Sequence, residues 1–482
     1  MKKYKQAIFI LTLIFSSCSE DYLETVPTNQ ISDQVVFQTV EGAQTVLDGV
    51  LRDMRSQHGE ASMHDQFGVK AVDLAVDLMG EDIAVERFHW FGADYRFENR
   101  TANDPRPVYV WSLFYRIINN VNGVINHIDD TASESENLKK NLKAQALTLR
   151  AYSYFQLVRL FQHTYSGHKN APGVPVYTTA TTEGKPRSTV AQVYSRITAD
   201  LQEAVRLFEE SDLPQRHISN PTLSVARGLW ARVALEKEDW QTAAEMASLA
   251  CQGYSIMSAA EYSTGFGNYV RQNWMWGMEV NNEQSTTYAS WFSHMDWSIG
   301  GYCGFGLSPK SFSLELYNQM EDGDVRKVLV DTTSIASGRL IPGKFSAGND
   351  KGFAADLVLM RPEEMLLIEA EARVRMGEDM IARNLLRTLR SRRIEQPKPV
   401  NSSGQALLQK ILFERRTELW GEGFRGFDLK RLKTGVNRNN SNHNPVVART
   451  MTLPAESEKF IYQIPQSEID ANSNMGKEDQ NP

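Results

Sequence analysis

Cysteine is almost missing from this chain, with three in 482 residues. Cys251 and Cys303 have neither a second Cys nor a His at metal-ligand spacing, so no cysteine-based metal site can be assembled from the sequence. Isolated thiols of this kind read as small buried hydrophobes. Whether the two pair depends on proximity, which spacing leaves open. Concentrated positive charge is also lacking. The 52 basic residues are scattered among 59 acidic ones, for a formal net charge of −7. Phosphate backbones need a focused positive field, so nucleic acid is excluded as a partner. Gly-x-Ser-x-Gly, His-Glu-x-x-His, P-loop and Rossmann fingerprints are absent, and with them any motif-based reason to assign a cofactor or a catalytic residue. A glycoside hydrolase needs only two carboxylates across a cleft and would leave no such motif, so the enzyme reading has to be weighed on other grounds. The acidic stretch Glu321-Asp322-Gly323-Asp324 lacks the remaining ligands of an EF-hand and reads as a turn.

What is present begins at the N-terminus. Lys2, Lys3 and Lys5 precede the largely apolar run Ala7 to Phe15, then Ser16, Ser17 and Cys18. The run is too short to cross a bilayer and predicts a secretory signal peptide over residues 1–17. Without those three lysines the chain is more acidic still. Cys18 stands where a bacterial lipobox places its lipidated cysteine. Two or more acyl chains there, each buried methylene contributing about 0.8 kcal/mol, would hold the protein on its membrane permanently. Ser19, Glu20 and Asp21 resemble the acidic surface-export signal of Bacteroidetes lipoproteins. Residues 18–35 therefore read as lipid anchor and tether.

Beyond residue 35 the dominant period is helical. Leu138, Leu142, Ala146, Leu149, Tyr152, Phe155 and Val158 recur every three or four residues and predict one long helix with an apolar stripe. Similar patterns cover roughly 36–56, 108–128, 189–210, 222–251, 361–393 and 404–420. Ala231 and Ala243 lie twelve residues apart across Lys237-Glu238-Asp239, and Ala370 and Ala382 twelve apart across Gly377-Glu378-Asp379. Small residues at matching points let two helices approach closely, as in tetratricopeptide (TPR) hairpins. Strand signals are few; Trp274 and Trp276, before Gly277-Met278-Glu279-Val280, suggest a short buried strand. Stretches without periodicity run over 57–107, 164–188, 253–358 and 434–482, and connections that long are usually functional. The expected fold is mostly α: a TPR-like helical-hairpin scaffold with long irregular loop regions and a few short strands.

Several segments in this order resemble the SusD/RagB family along essentially the whole chain. They are Asp21-Tyr22-Leu23 with Pro27, Leu149-Arg150-Ala151-Tyr152 followed by Gly173-Val174-Pro175-Val176, and Arg361-Pro362-Glu363-Glu364 with Glu369-Ala370-Glu371-Ala372. Glu414-Arg415-Arg416-Thr417-Glu418-Leu419 leading to Gly423-Phe424-Arg425 and Phe427-Asp428-Leu429-Lys430-Arg431 resembles the family hallmark, and Ile464-Pro465-Gln466-Ser467-Glu468-Ile469 its ending. The resemblance implies a SusD-like N-terminal region over 36–260 and a RagB/SusD-like C-terminal region over 261–482, packed as one globular unit. It also implies an outer-membrane lipoprotein facing the exterior, anchored in lipid through Cys18. Such a protein is not an enzyme; it binds an oligosaccharide, or in the RagB branch a peptide, and delivers it to a SusC-like TonB-dependent transporter. The charges of 414–431 read as intrahelical and interhelical ion pairs, not an active site.

Sugar receptors present aromatic platforms flanked by hydrogen-bonding groups, because sugars pair apolar C–H faces with polar edges. Two loop segments carry such rings: Phe88-His89-Trp90-Phe91 with Tyr95 and Phe97, and Tyr288, Trp291, Phe292, Trp297, Tyr302 and Phe305. The family likeness places ligand aromatics in these parts of the chain. Trp90, Tyr95, Trp291, Trp297 and Tyr302 are the expected ligand-binding residues, with Asp94, Arg96, Asn99, Asn281, Asn282 and Asp296 nearby as polar candidates.

Overall fold

The computed structural model describes residues 36–132, 135–347 and 351–482. The expected leader, Cys18 and tether lie outside the described residues. The frame consists of α1 (Val40–Asp53), α2 (Val69–Asp77), α3 (Pro105–His127), α4 (Glu136–Phe161), α5 (Val190–Ser211), α6 (Leu223–Glu236), α7 (Trp240–Ala250), α8 (Pro362–Arg375), α9 (Asp379–Arg393), α10 (Gly404–Glu418) and α11 (Arg425–Arg431). Short antiparallel strand pairs are let into the loops: β1 (Ile83–Val85), β2 (Trp276–Met278), β3 (Lys310–Phe312), β4 (Val330–Asp331), β5 (Ile341–Pro342), β6 (Leu357–Met360), β7 (Val436–Asn437) and β8 (Thr452–Leu453) pair as β1–β3, β2–β6, β4–β5 and β7–β8. Trp276 thus belongs to a buried strand, as its sequence context suggests.

The helices stack in a relay: α1 on α3, α3 on α4, α4 on α5, α5 on α6, α6 on α7, α7 on α8, and α8 on both α9 and α10. Local sequence sets the ends. Thr189 and Gln192 close a capping box on α5, and Asp239 accepts from the Thr242 amide to start α7. The two alanine-marked hairpins are α6–α7 and α8–α9, and Ala231, Ala243, Ala370 and Ala382 are all fully buried between their helices. Their turns need left-handed backbone, supplied by Glu238 at φ 61° and by Gly377 at φ 81°.

Two elements depart from simple amphipathic stripes. On α4 every residue from Ala144 to Phe161 is buried, so the expected stripe widens to the whole circumference. Its buried Arg150 is neutralised by Asp200, at 2.7 and 2.8 Å, and donates to the Asn122 side-chain oxygen at 2.8 Å. All nine residues of α2 are buried as well, including Lys70, Asp73 and Asp77. A helix enclosed on all sides shows no polar face, which is why 57–107 reads as irregular in the sequence. One apolar core runs without a break from Phe37 to Met475, through both halves of the chain.

The charges of 414–431 form a buried ionic knot. Glu418, on the last turn of α10, accepts from Arg361 at 2.6 Å, from Arg393 at 2.8 and 2.9 Å, and from Arg326 at 3.1 Å. Glu414 one turn earlier takes Arg326 and Arg390, each at 2.7 Å. Glu422 receives Arg361 and Lys344, while Asp428 and Glu371 share Arg431. Arg416 reaches Asp82 at 2.5 Å, and the Asp77 carboxylate accepts the Gly423 and Arg425 amides, which fastens the C-terminal half to α2 and β1. Gly423, at φ 90°, lies so close to Asp73 that a Cβ would stand 2.5 Å from the Asp73 Cβ. No side chain fits there.

Although burial alone would push the Glu418 carboxyl up, Arg393 and Arg361 hold it well below the usual range, and Arg361 with Lys344 brings Glu422 down to about 2. Folded values below the unfolded ones mean that this stabilisation is complete above the ordinary glutamate value of about 4.3 and is lost as pH falls towards 2. Urea midpoints are expected to hold from pH 7 to about 5 and then drop steeply, with a shallower drop in Glu422→Gln. Glu418→Ala should cost on the order of 3–5 kcal/mol at pH 7, because it removes the carboxylate that three buried guanidinium groups share. A loss under about 1 kcal/mol would mean that the knot contributes no more than a surface pair.

Candidate ligand-binding face

The long loops that carry the expected rings gather on one region of the surface, and the frame dictates how. The β1–β3 pairing carries residue 86 alongside 309, where the Glu86 amide donates to the Pro309 carbonyl at 3.0 Å. The Ser308 hydroxyl donates to the Trp90 carbonyl. Arg106, at the start of α3, holds the Asp65 side chain at 2.9 Å, the Asp65 carbonyl at 2.7 Å and Asp94 at 3.0 Å. One guanidinium therefore fixes the 57–66 loop against the short helix Gly92–Arg96. Phe91 and Phe97, at φ 63° and 59°, make the left-handed bends on either side of that helix.

Rings from four segments of the chain meet on this foundation. Trp90 and Tyr302 lie edge to face with centroids 6.4 Å apart, and Tyr288 sits 6.1 Å from Tyr302. His89 is 5.1 Å from Tyr302, and Phe353 adjoins Tyr288 at 5.8 Å. His64 lies about the middle of the group, 5.9 Å from Trp90 and 6.3 Å from Tyr288, and its Nδ1 shares a 2.6 Å hydrogen bond with the Tyr302 hydroxyl. Tyr288 is 42% exposed, His89 is exposed, and Trp90, Tyr302, His64 and Phe353 are half-buried. Beneath Tyr302 the buried His294 ring is stacked at 4.9 Å with planes 11° apart, and Phe67 is stacked on His294 in turn at 5.5 Å and 16°. His294 donates from Nε2 to the His64 carbonyl at 2.8 Å. Burial, with Lys310 nearby, keeps His294 well below the usual histidine range, and the same two causes lower His89. Both of these imidazoles are neutral near pH 7.

The five expected residues divide. Trp90 and Tyr302 come together in the cluster. Trp297 is half-buried and stands apart from those rings among the described residues: its Nε1 donates to the Lys310 carbonyl at 2.9 Å, and the Arg339 guanidinium lies 5.3 Å from its ring. Tyr95 and Trp291 require correction, since both are buried. The Tyr95 hydroxyl donates to His443 Nδ1 at 2.5 Å, a direction set by His443 Nε2 donating to the Glu81 carbonyl. Trp291 packs on Phe345 at 5.3 Å beneath the Lys70 ammonium, 4.3 Å from its ring. Neither ring can touch a ligand in this conformation. The short helix Trp291–Met295 serves the face through His294 instead.

The polar candidates are mainly loop and helix fasteners. Asp94 is held by Arg106, Arg96 donates to the Val446 and Val447 carbonyls, and Asp296 accepts from Ser298 and the Ala347 amide. Asn281 caps a single 3₁₀ turn, Asn282–Gln284. Cys251 and Cys303 are unpaired, with burial pushing each thiol up to about 12, and no group of metal-binding side chains occurs among the described residues.

The chain is similar to known proteins along most of its length. Residues 21–235 match a family model described as "Starch-binding associating with outer membrane", and residues 332–482 match the SusD family model. A SusD-like protein P2 from Formosa agariphila is 24% identical and aligns with 98% of this chain and 99% of its own. Among solved structures, a SusD-like carbohydrate binding protein from Bacteroides vulgatus superposes with a TM-score of 0.82 at 27% identity, covering 92% of this chain and 98% of that one. A putative sugar binding protein from the same species gives 0.79 at 26% identity, with the same coverage.

The contrast between core and face rings is measurable. Trp291→Ala should destabilise the protein by about 3–5 kcal/mol in urea unfolding. Tyr288→Ala should change stability by no more than about 0.5 kcal/mol. Equal losses would place Tyr288 in the core.

Proposed function

Because the chain belongs to the SusD/RagB family, we propose that it is a surface-exposed lipoprotein that binds an oligosaccharide on the Trp90–Tyr288–Tyr302 face and delivers it to a SusC-like TonB-dependent transporter. The observation that carries this reading is the face itself: three exposed or half-exposed rings from two loop segments, stiffened by His64 and backed by the buried His294 and Phe67. Flat C–H faces of sugar rings stack on such surfaces, and the imidazole and hydroxyl edges supply hydrogen bonds.

The acids nearby support binding in preference to hydrolysis. Asp65 and Asp94 are tied to Arg106, Glu86 to Arg339 and Ser311, and Asp296 to Ser298 and the Ala347 amide. A glycosidase would need two carboxylates facing the sugar on either side of the scissile bond, one of them protonated. Each of these carboxylates is engaged by a group of the protein; burial raises Asp65, but its Oδ2 stays on Arg106. Delivery across an outer membrane needs an anchor, which Cys18 would supply, and no helix among the described residues is long and apolar enough to cross a bilayer.

Binding of the mature protein to a panel of polysaccharides and peptide digests, followed by calorimetry and product analysis, tests the proposal. Saturable glycan binding without product release is expected, and Trp90→Ala, Tyr288→Ala and Tyr302→Ala should each weaken it about five- to tenfold, the loss of roughly 1–1.4 kcal/mol of stacking per ring. Binding confined to peptides would move the protein to the other branch of the family, and released sugar products would overturn the binding-only reading. Palmitate labelling of the full-length chain, abolished by Cys18→Ala, is the expected outcome for the anchor.

A further inference from the structure

A second built cleft lies elsewhere on the molecule and shares no residue with the aromatic face. It encloses about 260 Å³ between α3, the 177–184 loop and the short helix Gln466–Ala471 near the C-terminus. That is just under the ~300–1,000 Å³ of pockets for drug-sized ligands, so the space suits a single ring or a short chain. Three aromatic rings wall it. Trp111 and Tyr115, one turn apart on α3, are 4.7 Å between centroids with planes at 44°, and Tyr177 stands edge to face with Tyr115 at 5.8 Å and 83°.

The walls are held rigidly. Tyr115 donates to the Pro175 carbonyl at 2.8 Å, and the Tyr177 hydroxyl accepts the Lys185 amide at 3.1 Å. Asn472 donates to both the Lys185 carbonyl and the Glu468 carboxylate at 2.9 Å, pinning the C-terminal helix to the loop. Glu468 accepts from Trp111 Nε1 at 3.2 Å, which leaves its carboxylate half-buried among the rings with lone pairs to spare. Asn119 and Glu183 complete the rim, and no lysine or arginine lines the cleft.

Aromatic faces and an unneutralised carboxylate share one preference, for a positive charge. The protein illustrates it at the edge of the cleft: the Lys185 ammonium lies 5.5 Å from the centre of the Tyr177 ring, close to the Val176 carbonyl. We propose that this cleft is a binding site for a small organic ammonium compound, with Trp111, Tyr115 and Tyr177 forming the cage and Glu468 the counter-ion. A neutral sugar can offer Glu468 only hydroxyl hydrogen bonds, without the opposite charge that an ammonium group brings.

The test is calorimetric or ligand-observed NMR titration of the whole mature protein with choline chloride and with glucosamine, against glucose and acetate as neutral and anionic controls. Choline or glucosamine should bind saturably, and equally to wild type and to Tyr302→Ala, which separates this site from the aromatic face. Glu468→Gln should weaken binding about tenfold through loss of one charge-assisted contact, and Tyr177→Ala by a similar factor. Glu183→Gln, a change at an exposed position, should lower affinity less. Absence of binding by either ammonium compound, or glucose binding as tightly as glucosamine, would overturn the proposal. So would unaltered affinity in the Glu468→Gln, Tyr177→Ala double variant. Should a core variant shift the thermal midpoint, the wild-type comparison of glucosamine with glucose still decides.

Discussion

Glu418 is a fully buried carboxylate on which three arginines from three distant parts of the chain converge, and most of the architecture depends on their being satisfied together. Arg326 comes from the central loop region, Arg361 from the residue before α8, and Arg393 from the end of α9. A buried ion pair that replaces well-packed hydrophobes gains little net stability, because desolvation offsets most of the Coulombic attraction. Its stronger effect is on alternatives. Any arrangement that removes one partner leaves a buried charge short of a counter-ion, so register errors in the α8–α9–α10 stack are penalised. The knot therefore acts as a geometric specification laid over the non-directional packing of leucines and alanines.

That specification reaches the ligand-binding face through a short chain of contacts. Arg416, beside the knot, holds Asp82, and Trp420 donates to the Asp82 carbonyl at 2.8 Å. Asp82 immediately precedes β1, whose pairing with β3 sets where residues 86–90 lie against 302–309. Arg106 then clamps the 57–66 loop from the other side. The loops carrying the rings are long, yet each is attached to the frame by a buried arginine or a strand pair. Such attachments keep the ordering entropy of the face from falling on the ligand when it binds.

Much of this frame was legible in the sequence, because helix pairing is written in local periodicity. Alanines twelve residues apart across a turn mark a close hairpin whatever else the chain does, and both marked hairpins form. The α2 helix was not legible, since Val69 to Asp77 is enclosed on every side and shows no amphipathic contrast. The charges around Glu418 could be read as ion pairs, but not that Arg326, 92 residues away, would be a partner. For the face the limit is sharper. Sequence shows that a loop is rich in rings, and Trp90 and Tyr302 do meet. It does not show which ring of a segment turns inward: Tyr95 is one helical turn beyond Phe91, and Trp291 one turn before His294, and in each case long-range packing draws the ring into the core. Tyr288 lies in a segment recognised as aromatic, while His64 and Phe353 belong to stretches with no such signal, and only tertiary contact assigns them.

The shape of the face also constrains what it can hold. Its rings are spread over the surface, 5–6 Å apart between neighbouring centroids. One sugar ring can stack on one or two of them, with aromatic contacts contributing about 0.5–1.5 kcal/mol each beyond the area they bury, too little to offset the ~4 kcal/mol or more lost in immobilising a free molecule. An oligomer loses that freedom once and then meets the remaining rings at the raised effective concentration that linkage provides. A surface of several spread rings thus favours long ligands over their own monomers, by length more than by the identity of any one unit. The cleft at Glu468 has the opposite character, concave, acidic and one ring wide, so it would discriminate by charge more than by length. The same residue types, aromatic rings with a few polar edges, yield two selectivities according to whether the frame spreads them out or folds them around a carboxylate.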